Sequence, residues 1–304
     1  TEALDAPGLD LLAVMIGSEG MLAVVTEVTV RLVPRPPVAR VIMASFDDMT
    51  KAGNAVADVI AAGLIPAGLE MMDKAATRAV EEFVHAGYDL DAEAILLCES
   101  DGTEEEVTEE IERMSAVLRQ SGAIRIQVSQ SEAERMVFWS GRKNAFPAAG
   151  RISPDYYCMD GTIPRKHLPQ VLQSINQFSE EFGLAVANVF HAGDGNLHPL
   201  ILFDANQPGE LERAEAFGGK ILELCVQVGG TITGEHGVGM EKINQMCAQF
   251  NSLELSQFHA VKAAFDPAGL LNPCKAVPTL QRCAEFGAMH VHQGQLPHAD
   301  LERF

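Results

Sequence analysis

The chain has 304 residues and a formal net charge of −20 at pH 7, a field that repels polyanions and argues against nucleic-acid or anionic-membrane partners. Its 47% hydrophobic and 21% charged content is that of a globular chain long enough for a large core, not of a disordered one. Cys98, Cys158, Cys225, Cys247, Cys274 and Cys283 include no Cys-x-x-Cys pair, which argues against an iron–sulfur site in this chain and points to reducing, cytoplasmic surroundings.

The chain opens on Thr1, with neither a start methionine nor a signal peptide, and is expected to be a piece of a longer polypeptide. Residues 21–33 (MLAVVTEVTVRLV) are β-branched and alternate near their end, so a strand is predicted there. It closes in Pro34-Arg35-Pro36-Pro37, a connector that neither helix nor strand tolerates, and the first domain boundary is placed after residue 37. Strands are then predicted at 40–46, 67–72, 94–99 and 124–128, alternating with helices at 48–63, 74–85, 103–121 and 132–143. The third of these helices opens with Thr103-Glu104-Glu105-Glu106, a capping-box pattern with acidic residues at the positive end of the helix dipole.

Further strands are predicted at 156–163, 185–190 and 197–203, with helices at 168–182, 208–228 and 252–265. The last two strands form a hairpin-like pair about the turn at 191–198. The order reads as an α+β fold, an antiparallel sheet with helices packed on one face. Residues 38–271 form its main domain and 272–304 a C-terminal tail, of which 276–304 carries little periodicity and reads as packed on another surface.

Chemistry concentrates in two glycine-dense turns. His191-Ala-Gly-Asp-Gly-Asn-Leu-His198 places two imidazoles at the mouth of a hairpin, and Glu235-His236 sits between Gly234 and Gly237. His191, His198 and Glu235 have the donor types of a three-ligand zinc, manganese or iron site with positions left for substrate. Adjacent residues on an extended backbone point apart, so His236 is expected to stay off the metal as a general base near neutral pH. Taken singly, a histidine in an apolar strand is more often a core residue, and His236 could instead orient a ligand. Asp194, between two glycines, reads chiefly as a turn former. Arg142-Lys143, ending the 132–143 helix, could clamp a carboxylate with the guanidinium fork or simply complement the helix dipole. Gly17-Ser18-Glu19-Gly20 is a tight turn whose amides could approach a phosphate or flavin, and His290-x-His292 reads as incidental.

Four segments together resemble the FAD-linked oxidases of the vanillyl-alcohol oxidase superfamily. They are Gly17-Ser-Glu-Gly20-Met-Leu with Thr26-Glu27-Val28, the 191–198 turn, Gly229-Gly-Thr-Ile-Thr-Gly-Glu235-His236-Gly-Val-Gly239, and Phe265-Asp-Pro-Ala-Gly-Leu-Leu-Asn272-Pro. Residues 141–147 and 152–160 are similar to the flavin-bearing catalytic subunits of the glycolate oxidase group. The resemblance implies oxidation of glycolate or a related D-2-hydroxy acid to the 2-oxo acid, with hydride passing to FAD. It maps the divalent metal to His191, His198 and Glu235, the base to His236 and the substrate carboxylate to Arg142. Flavin contacts fall to Gly17, Ser18, Glu19, Gly20 and Asn272.

By the same resemblance, residues 1–37 are the end of a flavin-binding domain to which 272–304 return, and this chain alone should be inactive. It further implies a second flavin-domain subunit, an iron–sulfur subunit and a cytoplasmic location, peripheral at the inner membrane through those partners. Two residues depart from the pattern: Cys274 and Ala23 stand where glycines are usual. A metal-dependent hydrolase without flavin, and a catalytically silent fragment, are the rival readings.

Overall fold

The computed structural model describes residues 8–279. They divide into two compact units, Val33–Gly234, and the described residues of Thr1–Leu32 together with Glu235–Phe304. The tail beyond residue 279, with His290 and His292, lies outside the described residues.

The larger unit is built on β1 (Val38–Phe46), β2 (Gly68–Asp73), β3 (Ala94–Gly102), β4 (Arg125–Val128), β5 (Asp155–Cys158), β6 (Gly161–Thr162), β7 (Val186–Phe190), β8 (Asn196–Leu197) and β9 (Pro199–Phe203). Seven of these strands form one sheet in the order β4-β1-β3-β2-β7-β9-β5, and β6 pairs with β8. Every pairing between named strands is antiparallel, as the hairpin-like pair about 191–198 led one to expect. Met43, Met72, Ile95 and Leu97 pack with Ala76 and Val80 of the Lys74–Val84 helix and Phe138 of the Glu132–Lys143 helix. Their strand neighbours Ile42, Met71 and Leu96, which face the other way, are buried as well. The Met49–Ala61 and Glu104–Gln120 helices also pack on β1 and β3, so the covering extends beyond one face. Burial on both sides is what makes these strands near-continuous apolar runs.

Helix starts follow from capping chemistry. Asp48, Asp73 and Ser131 accept hydrogen bonds from first-turn amides, and Thr103 with Glu106 forms the full capping box. Two predicted strands are shorter than expected. The run 156–163 breaks into β5 and β6, and the run 197–203 breaks at His198, where Pro199 brings no amide hydrogen to the ladder. A third is not formed. Residues 23–34 lie in no strand among the described residues, and Val24, Val28 and Leu32 are 72%, 73% and 88% exposed. Strand propensity alone leaves such a segment unpaired, because an extended backbone needs a neighbouring ladder. The short helices Leu11–Met15, Ala145–Ala149 and Met246–Gln249 were not predicted.

Asp73 ends β2 and caps the next helix, with its carboxylate accepting from Ala76 N, Asn188 N and Asn188 Nδ2. Burial raises its carboxyl from 3.8 to about 6 against the pull of those hydrogen bonds. The native state therefore binds this proton more readily than the unfolded chain does. The stability so contributed is present below about pH 4 and is lost as pH rises through 6, by roughly 3 kcal/mol. Urea unfolding across that interval checks this, and Asp73→Asn is expected to flatten the slope; an unchanged slope in the variant would assign the dependence to another group.

In the smaller unit, Asn251 and Glu254 form a capping box on the Ser252–Phe265 helix. Lys262 near its end donates to Met21 O, Leu271 O and Asp266. That ammonium and the Leu271 amide hold the Asp266 carboxyl down at about 2.

Candidate active site

The site in the larger unit starts from an acidic residue inside an apolar strand. Glu70 of β2 faces the same side of the sheet as Met72 and Leu97 and is 8% exposed. A buried carboxylate needs partners, and it has two. Its Oε2 accepts from Arg142 Nε at 2.8 Å, and its Oε1 lies 2.8 Å from His191 Nδ1. Arg142 comes from the last turn of the Glu132–Lys143 helix and is itself buried. Its Nη2 lies 3.5 Å from both ring nitrogens of His191, too far and too evenly shared for a strong in-plane hydrogen bond. The guanidinium therefore rests against the imidazole.

His191 follows β7 and bridges to Asn196, closing the tight turn that returns the chain to His198. The rings of His191 and His198 meet edge to face with centroids 5.1 Å apart. In the β6–β8 pair Gly161 opposes Leu197, so one step along the register sets Asp160 opposite His198. Asp160 is fully buried and His198 is 2% exposed. One Asp160 oxygen, Oδ2, accepts from Thr233 Oγ1 at 2.8 Å and Gly234 N at 3.1 Å. The other, Oδ1, lies 3.7 Å from His198 Nε2. That gap is too long for a hydrogen bond and near the spacing of about 3–3.5 Å between two ligands held around 2.0–2.1 Å from one cation. A buried imidazole and carboxylate so placed fit a divalent metal.

Two glycines make the approach of the 229–234 loop possible. A Cβ on Gly230 would come within 1.8 Å of the Thr162 carbonyl oxygen, and one on Gly234 within 2.7 Å of the Asn196 carboxamide. The glycine density noticed in the sequence is here a packing requirement.

In the smaller unit, Glu235 and His236 are about half exposed, with His236 Nε2 3.7 Å from Glu235 Oε1. The bend at 234–236 brings together two side chains that an extended backbone would point apart. The Gly17–Gly20 turn is left-handed at Gly17, Glu19 and Gly20. Glu19 folds its carboxylate onto the amides of Val238 and Gly239, both at 2.7 Å, and its carbonyl accepts from Asn272 Nδ2. The structure thus links three of the four segments singled out in the sequence through Glu19. Cys274 has φ +61°, a region where a glycine would be unstrained and a Cβ is not.

Sequence reading placed His191, His198 and Arg142 in one neighbourhood, and the structure brings them together. It missed Glu70 and Asp160. The available signal was a lone acid in each of two runs predicted as strands, 67–72 and 156–163, which demands a partner without naming it.

An antiparallel sheet carrying these residues defines a known class. The family model of FAD linked oxidases, C-terminal domain, matches residues 35–276, and the chain belongs to that family. It is 69% identical over all 304 residues to the glycolate oxidase subunit GlcD of Escherichia coli (strain K12), covering 61% of that protein. It is 36% identical over 273 residues to the subunit of the same name from Bacillus subtilis (strain 168), across 90% of this chain and 58% of the relative. A D-lactate dehydrogenase of Anaerostipes hadrus is 30% identical over 286 residues, 90% of this chain and 60% of that protein. The chain therefore spans about three-fifths of the length of these relatives.

Among solved structures, p-cresol methylhydroxylase with substrate bound superposes with a TM-score of 0.64 at 15% identity, over 82% of this chain and 54% of that one. Alkyldihydroxyacetonephosphate synthase gives 0.61 at 14%, over 90% and 52%. At such identities these two share the fold alone. For the family's cofactor, the described residues fit one edge. The left-handed turns at 17–20 and 272–276 carry mostly small side chains, with Glu19 folded back, which suits a ring or pyrophosphate lying against backbone.

Proposed function

We propose that this chain supplies the substrate-side residues for FAD-dependent oxidation of glycolate, or a related small D-2-hydroxy acid, to the 2-oxo acid. The observation that carries the reading is the buried Arg142 guanidinium against His191, whose ring stands beside His198. In a chain of net charge −20, a small carboxylate needs such a fixed local cation. With Nε engaged by Glu70, the terminal nitrogens of Arg142 are the fork that takes the substrate carboxylate.

His191, His198 and Glu235 would hold a divalent cation (zinc, manganese or iron), with Asp160 beside His198. Glu235 directly follows Gly234, which Asp160 anchors. When bound, that cation supplies Lewis acidity toward the substrate oxygens, and FAD supplies the acceptor for the C2 hydride. His236 accepts the hydroxyl proton at a ring nitrogen, so the substrate loses one proton and one hydride. Gly17, Ser18, Glu19, Gly20 and Asn272 border the flavin, with 38–271 as the substrate domain and 1–37 and 272–304 belonging to the flavin side.

Two of the relatives are named as subunits, and the absence of a Cys-x-x-Cys pair leaves electron relay to another chain. We therefore assign a second flavin-domain subunit and an iron–sulfur subunit as partners. The setting proposed is cytoplasmic, peripheral at the inner membrane through those partners. No described helix is long and apolar enough to cross a membrane.

The test is the anaerobic visible spectrum of the protein purified with whatever precedes Thr1 in its reading frame. Bleaching of a flavin band by glycolate or D-lactate is the expected result. A preparation with no flavin band, or one that no 2-hydroxy acid bleaches, overturns the proposal.

A further inference from the structure

Glu70 touches two of the residues assigned above, and only its hold on Arg142 Nε entered that assignment. We infer that Glu70 is a positioning residue that fixes both the tautomer of His191 and the orientation of Arg142. The inference rests on the functional reading for the roles of those two partners, but the geometry stands by itself.

The physical argument begins with what the carboxylate can do. An ionised carboxylate only accepts hydrogen bonds. At 2.8 Å from His191 Nδ1, Glu70 Oε1 requires the proton of a neutral imidazole to sit on Nδ1. The lone pair then falls on Nε2, the nitrogen that can ligate a cation. Ligating histidines commonly have their second nitrogen held by a carboxylate in this way, which also raises the basicity of the ligating nitrogen. The other oxygen, Oε2, takes Arg142 Nε at 2.8 Å. That fixes the guanidinium plane and directs what remains of its fork.

Burial makes the arrangement rigid. The side chains of Arg142 and Glu70 are 9% and 11% exposed, and Glu70 lies on a strand paired on both sides, to β3 and β7. Its carbonyl neighbour Leu69 also accepts from Gly193 N at 2.8 Å, within the 191–198 turn. β2 thus holds the turn by backbone and the imidazole by side chain. Moving the His191 proton to Nε2 would set the Nδ1 lone pair against the carboxylate.

Two readouts test this on the full chain: ¹⁵N NMR of the His191 ring, and titration with Mn²⁺ alone followed by electron paramagnetic resonance. The wild-type ring is expected to carry its proton on Nδ1. In Glu70→Gln the amide oxygen keeps accepting from Arg142 Nε, which offers no acceptor, so the NH₂ faces His191 Nδ1; a shift of the ring proton to Nε2 and a 10- to 100-fold weaker Mn²⁺ affinity are expected. If the single variant does not fold, Glu70→Gln/Arg142→Gln removes both buried charges together and should show the same tautomer change. A wild-type ring already protonated on Nε2, or a His191 tautomer unchanged in the variant, overturns the inference. Wild-type protein that binds no Mn²⁺ counts against the metal reading instead, and the tautomer arm still decides the role of Glu70.

Discussion

Arg142→Leu is expected to lose roughly 3–5 kcal/mol of stability and, where folded, nearly all affinity for a 2-hydroxy acid. Both effects come from one geometry. Leucine fills part of the same buried volume but leaves the Glu70 carboxylate with one partner where it had two, and an uncompensated buried charge is far costlier than the lost pair is favourable. The substrate effect is separate, because the terminal nitrogens of Arg142 are the donors assigned to the carboxylate. Arg142→Lys separates the two. It restores a cation near Glu70 and should recover part of the stability, whereas a single ammonium cannot reproduce the planar fork. Urea unfolding and the substrate dependence of flavin reduction, measured on the three proteins, check this. A leucine variant of native stability would mean that the buried pair contributes little, and one with unchanged KM would remove Arg142 from the substrate site.

How far the sequence alone leads depends on whether the information is local. The start at Thr103 was legible because caps are local, its hydroxyl bonding an amide three residues on; the structure adds the caps Asp48, Asp73 and Ser131, which were not singled out in the sequence. The strands at 40–46, 67–72 and 94–99 were legible as apolar runs bounded by turns. Residues 21–33 show the limit. Their β-branched pattern is as good as that of β1, but β1 has β3 and β4 on its two sides, and the 23–34 segment has no pairing among the described residues. Pairing is a fact about the neighbour, and no property of the segment supplies it.

The site divides in the same way. His191 and His198 are seven residues apart on one hairpin turn, so a short loop had to bring them near each other, and it does. Glu70 and Arg142 are 72 residues apart and Glu70 and His191 are 121 apart, joined only by the order of strands in the sheet. A sequence shows that Glu70 sits in an apolar strand and must be paired; which cation it meets is decided by β2 lying next to β7 and beneath the 132–143 helix. Asp160 is the intermediate case. It is 38 residues from His198, and the register that sets it opposite follows from a two-residue strand pair too short to be read from periodicity. The glycines were legible as unusual density, but their reason, the Thr162 carbonyl pressed against Gly230, is again tertiary.

The second large effect falls on the proton. In His236→Ala the rate of flavin reduction by glycolate should fall by roughly 10²- to 10⁴-fold, the usual contribution of a positioned base, with flavin content and fold unchanged. The side chain is about half exposed, so its removal opens no core cavity, and stability should move by less than about 1 kcal/mol. That contrast with Arg142 is the useful one: loss of rate without loss of structure at one position, loss of both at the other. Stopped-flow reduction under anaerobic conditions reads the step directly, and added imidazole should restore part of the rate by occupying the vacated volume. If the alanine variant reduces its flavin at the native rate, the base is some other group. If it loses its flavin instead, His236 holds the cofactor and the proton must leave by a different route.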